Sequence, residues 1–121
     1  MSLGKRELAR IERRLITALT EACKTAKDEI KGFTWLTHTA DLSALAETLK
    51  VIWVFETLAD RKLAQVEAKA RIFALTAIAL NEANIDLNPA DHSVRFDSEQ
   101  ECLRTHGGDW KKRLSQSGVQ G

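Results

Sequence analysis

Apolar positions in the first thirty residues recur every three or four: Leu8, Ile11, Leu15, Ala18 or Leu19, Ala22, Ala26 and Ile30. That stripe predicts a long amphipathic helix over Gly4–Lys31, with Gly32 where a C-terminal cap belongs. The period then changes to two. Phe33, Trp35 and Thr37 alternate with Thr34, Leu36 and His38, an aromatic- and threonine-rich pattern that predicts a strand with each trio on one side. Asp41 can cap a short helical turn through Leu42, Leu45 and Ala46. Val51-Ile52-Trp53-Val54-Phe55 is an unbroken β-branched and aromatic run, expected of a strand covered on both faces or central in a sheet.

A second long helix is predicted over Asp60–Asn81. Its core face is Leu63, Val66, Ala70, Phe73, Ala77 and Leu80, widened by Ile72, Leu75 and Ile78. Asn81 and Asn84 end it, and the single proline, Pro89, marks a loop. His92, Val94 and Phe96 then alternate with Ser93, Arg95 and Asp97 as a third strand. Ser98 and Glu101 have the spacing of a capping box for a short helix that stops before Gly107. A final helical turn holds Trp110 and Leu114, and residues 115–121 read as a frayed tail. The order α-β-β-α-β-α predicts an α+β fold, a small three-stranded sheet with both long helices on one face. Trp53, Phe55, Phe73 and Leu80 are expected in its core.

A chain of 121 residues suits one domain over 1–121, with 1–4 read as a cloning remnant or disordered start. With 44% hydrophobic and 29% charged residues it has the make-up of a globular protein. No apolar run approaches the ~20 residues of a membrane span, and the N-terminus enters charges directly, without a signal-peptide apolar region. Cys23 and Cys102 make no disulfide framework. These features together point to the cytoplasm.

Net charge is +1, but its distribution is uneven. Residues 1–32 carry eight Lys/Arg against five Asp/Glu, and residues 33–90 carry five against seven. Arg10, Arg13 and Arg14 on the first helix, and Trp110, Lys111, Lys112 and Arg113 near the end, are the candidate contacts for nucleic acid or a partner. A tryptophan beside cations can stack a base while they bind phosphate. Interleaved Glu7, Glu12, Glu21 and Asp28 limit such binding to weak and salt-sensitive.

Other reactive groups match no template. Cys102 and His106 are four apart, but a structural zinc needs four ligands, and Cys23, His38 and His92 show no paired spacing. Asp97, Glu99 and Glu101 fit a helix N-terminus, where carboxylates meet unpaired amides. Gly107-Gly108 lacks the flanking residues of a phosphate loop. No catalytic, cofactor or metal residues are therefore assigned.

Gly32-Phe33-Thr34-Trp35-Leu36-Thr37-His38, Val51–Phe55, Phe96–Cys102 and Gly108–Leu114 resemble corresponding segments of a small proteobacterial protein family. Its members are sometimes labelled transcriptional regulators related to the factor for inversion stimulation. The resemblance covers most of the chain and implies a compact α/β domain. It implies no particular site. The label would require two consecutive helices joined by a short turn, whereas Val94–Phe96 places a strand between the second long helix and the C-terminal ones. The expected function is a non-enzymatic protein-interaction or self-associating module, using an uncovered sheet face or Ile16 and Cys23. Weak nucleic-acid binding is the alternative.

Overall fold

The computed structural model describes residues 4–41, 44–86 and 93–120, excepting the side chains of residues 46 and 116–120. The elements are α1 (Lys5–Glu29), β1 (Phe33–Thr39), α2 (Leu45–Thr48), β2 (Lys50–Phe55), α3 (Leu58–Glu67), α4 (Lys69–Glu82), β3 (Val94–Ser98), α5 (Glu99–His106) and α6 (Trp110–Gln120). The fold is α+β, with a mixed three-stranded sheet. Leu42, Pro89 and His92 lie outside the described residues.

The apolar run of β2 occupies the centre of the sheet, in the order β1-β2-β3. β1 pairs with it antiparallel and β3 parallel, so the chain between β2 and β3 crosses over through α3 and α4. All of Lys50–Phe55 is buried. Val51, Trp53 and Phe55 face the helices, within one core that includes Leu15, Leu19, Ile72 and Leu80. The Trp53 ring packs at a tilt of 44° against that of Phe33, centroids 5.1 Å apart, and its indole N–H donates to Thr76 Oγ1 at 3.2 Å. Phe73 is only half-buried, packed on the margin of this core rather than inside it.

Several local expectations change. The two β1 trios do not keep their sides, because a bulge at Thr34 shifts the register between Phe33 and Trp35. Thr34 Oγ1 donates to the carbonyl of Val54 at 3.0 Å. Phe33 and Leu36 then face the core, while Trp35 points to the opposite side. Gly32, at φ +80°, makes the turn into β1 after α1 has ended in an extended Ile30, so it turns the chain rather than capping the helix. The N-cap position of α2 is Ala44 rather than Asp41, and the Thr48 hydroxyl accepts from the Asp41 N–H at 2.8 Å.

The second long helix is broken at Ala68 (φ −114°, ψ 6°), and its buried face is not Leu63, Val66, Ala70, Phe73 and Ala77. Of the expected face only Leu80 is buried, together with Ile72 and Leu75 from the widened stripe, and Ala64, Thr76 and Ala79 join them. Both stripes have helical spacing, so periodicity alone could not choose between them. The inner one packs on the alanine-rich buried face of α1 (Ala18, Ala22, Ala26), and Arg71 on α4 and Glu29 on α1 clasp the pair with two bonds of 2.7 and 2.9 Å.

At the other end, Ser98 caps α5 as its spacing predicts: Glu101 N–H donates to Ser98 Oγ at 3.1 Å, and that hydroxyl donates to Glu101 Oε1 at 2.9 Å. Gly107, at φ +60°, ends α5. The final turn is longer than expected, since α6 stays helical through Gln120 in place of a frayed tail.

Candidate functional site

The C-terminal helices lie against the sheet face turned away from α1 and α4. β3 closes on Asp97 and Ser98 and runs directly into α5, and the Asp97 carboxylate meets α6 where that helix returns. Arg113 meets it with two bonds, Nε to Oδ2 at 2.6 Å and Nη2 to Oδ1 at 2.8 Å, and Nη1 donates to Thr105 Oγ1 at 2.5 Å. Arg61 of α3 adds a 2.6 Å pair with Glu101. Glu99 accepts from the indole N–H of Trp35 and, at 3.2 Å, from that of Trp110, while the two indoles pack edge to face with centroids 4.9 Å apart.

This arrangement uses up most of the candidate contact segment. Trp110 is pinned against Trp35, so its ring is committed to packing, and Arg113 is committed to Asp97. Lys111 and Lys112 remain exposed. The expected open sheet face is covered at its centre: Ile52 and Val54 are 4% and 0% exposed. Cys102 is fully buried, and that burial pushes its thiol pKa up, partly opposed by the Arg113 charge. A thiol raised in this way is a poor nucleophile at neutral pH. His106 instead has Nδ1 2.7 Å from Thr105 Oγ1 and 3.3 Å from Arg113 Nη1. Among the described residues no three His, Cys, Asp or Glu side chains converge on a point that could hold a metal ion.

Arg10, Arg13 and Arg14 do come together. With Thr17, Ala18, Glu21 and Glu82 they line an open groove of about 450 Å³ between α1 and the end of α4. Arg10 makes a loose 3.7 Å contact with Glu7, and among the described residues Arg13 and Arg14 form no ion pair. The groove belongs to the helical layer, whereas Trp110–Arg113 lies across the sheet, so the two halves of the candidate set form no continuous patch.

A smaller cavity of about 280 Å³ between α1 and β1 is lined by Ile16, Leu19, Thr20, Cys23, Leu36, Thr37 and His38. Burial lowers the His38 pKa, with the Glu12 carboxylate pulling the other way. The imidazole is therefore neutral at pH 7.

The most conspicuous surface is the outer side of α3 and α4. Val66 is 83% exposed, Leu63 48% and Ile78 51%; Ala70 and Ala74 are exposed beside them, and Phe73 is half-covered. Leu63, Val66, Ala70 and Ile78, which sequence periodicity assigns to the core, thus face solvent, whereas Ile72, Leu75 and Leu80 of the same reading are buried. Lys62 and Glu67 flank the solvent-facing stripe, and both are exposed. No family model, no curated protein and no solved structure matches this chain.

Proposed function

We propose that this chain is a protein-interaction module without catalytic chemistry of its own, and that it engages partners through the outer face of α3 and α4. One observation carries the reading. The two helices are apolar on opposite sides, burying Ile72, Leu75 and Ala79 inward while presenting Leu63, Val66 and Ile78 outward. A contiguous exposed apolar stripe marks a contact surface more often than an ordinary solvated face.

Photo-cross-linking tests this in the cell of origin. A benzophenone side chain placed at Val66 should give a discrete protein adduct, and one placed at exposed Lys24 should not. An absence of adducts at Val66, Leu63 and Ile78 alike would refute the assignment.

A second reading, weak nucleic-acid binding, draws support from the unpaired Arg13 and Arg14 in their groove. Anisotropy with labelled oligonucleotides should then show binding that fades with salt, with a slope of about −0.9 per phosphate contact for duplex. Arg13→Ala with Arg14→Ala should abolish it.

A further inference from the structure

The exposed stripe has an order beyond amphipathicity. Leu63, Val66, Ala70, Phe73 and Ala77 follow the three-four spacing of a heptad seam, with Leu63, Ala70 and Ala77 at the first core position and Val66 and Phe73 at the fourth. Val66, the most exposed large apolar side chain among the described residues, stands in the last turn of α3, just before the break. The break at Ala68 interrupts the helix by one residue and keeps the helical bonds on both sides: its N–H donates to Ala64 O at 2.8 Å, and its carbonyl accepts from Ile72 N–H at 2.9 Å. Phe73 and Ala77 are already half-buried and at Leu80 the seam turns inward completely, so at most two heptads, the second partly covered, are available to a partner.

We propose that this seam pairs with the same seam of a second copy of the chain, the two copies of α3–α4 running parallel. This rests on the preceding assignment of the outer face as a contact surface, and adds the partner and the orientation. Charge decides both. Lys62 lies on one flank of the seam and Glu67 on the other, five residues apart, and both are exposed. In a parallel pair, the residue just before one core position faces the residue five further on in the partner helix. Lys62 of each copy therefore meets Glu67 of the other, twice over by symmetry. An antiparallel pair sets each flank against itself, bringing Lys62 and Lys69 against their own copies and Glu67 against Glu67. The alanines at the seam let the helices approach closely, and Leu63, Val66 and Phe73 supply the apolar contact.

Two heptads of seam bury less than the ~800 Å² per partner of a stable interface, so the dimer is concentration-dependent. Sedimentation equilibrium should show a monomer–dimer transition in the range of roughly 10 μM to 1 mM. Val66→Glu should leave the protein monomeric with its far-UV spectrum and melting temperature unchanged, since the side chain makes little contact within the monomer. Lys62→Glu should weaken the dimer by about ten-fold, and Lys62→Glu with Glu67→Lys should restore it. In a Cys23→Ser background, Val66→Cys should cross-link to itself on mild oxidation. A monomer at every concentration, or a dimer untouched by Val66→Glu, overturns the proposal. A dimer strengthened by Lys62→Glu overturns the parallel orientation. If the protein stays monomeric while a benzophenone at Val66 captures a different protein, the contact surface stands and the self-pairing falls.

Discussion

Replacing Gly32 with alanine separates two costs that are usually confounded. Gly32 sits at φ +80°, where an L-residue loses on the order of 1–2 kcal/mol. A Cβ there would also lie 2.6 Å from Asp60 Cβ and 2.4 Å from Asp60 Cγ. Rotation can move the carboxyl away, but Asp60 Cβ is fixed by the first turn of α3. That turn is itself held by the Thr57 hydroxyl, which accepts from Asp60 N–H at 3.0 Å, and the same loop is tied back by Glu56 N–H donating to Gly32 O at 2.8 Å. The clash thus forces apart two segments bonded to each other, an overpacking cost of about 1–3 kcal/mol. Gly107 supplies the control: its φ is +60°, and an added Cβ meets nothing within 4 Å. Gly107→Ala should therefore cost about 1–2 kcal/mol, the conformational part alone, and Gly32→Ala about 2–5 kcal/mol. Urea unfolding followed by tryptophan fluorescence and far-UV circular dichroism measures both. Repeating Gly32→Ala in an Asp60→Gly background should bring its cost down to that of Gly107→Ala. Equal costs for the two glycines in the native background, or no relief from Asp60→Gly, would refute the steric argument.

Thr76→Val should destabilise by about 1–3 kcal/mol on urea unfolding, because it leaves the buried Trp53 N–H without its acceptor at near-constant volume. Asp97→Ala should cost about 1.5–3 kcal/mol and loosen α6, read as faster amide exchange over Trp110–Ser115; Arg113 would keep its charge and lose its two-bond partner. His38 makes stability fall with acid. Its folded pKa is lowered by burial, so the unfolded chain binds the proton more readily; the stabilisation is complete above about pH 6.5 and is lost as pH drops through 6.5 toward the lower folded value. His38→Gln should flatten the melting-temperature profile across that window.

Element types were largely legible because propensity and burial agreed in them. The β2 run reads as a central strand, and it is one; Ser98, Glu101 and Gly107 mark the ends of α5 through local bonds that need no tertiary information. What failed were the decisions about sides. The α3–α4 segment carries two apolar stripes, and only packing against α1 determines which is inner. A single extra residue at Thr34 reverses the sides of everything after it in β1, an outcome set by pairing with β2 rather than by the alternation itself. The clustering of Arg10, Arg13 and Arg14 follows from helix spacing, but its separation from Trp110–Arg113 depends on which face of the sheet α6 covers. The pairing of Trp35 and Trp110 on Glu99 spans more than seventy residues and leaves no local trace.

The parallel pairing of β2 with β3 has a consequence during synthesis. Val51 waits for Val94, more than forty residues further along the chain. At ribosomal speeds of ~5–20 residues per second, the strand Val51–Phe55 is out for several seconds with one edge unpaired. It carries no internal charge to discourage another strand from adding there, which makes it the segment most apt to seed aggregation. Antiparallel pairing with β1, which precedes it in the chain, guards one side from the start. The other side is guarded only once the crossover through α3 and α4 has folded and delivered β3, so variants that slow that crossover should lower soluble yield even where they leave the finished fold intact.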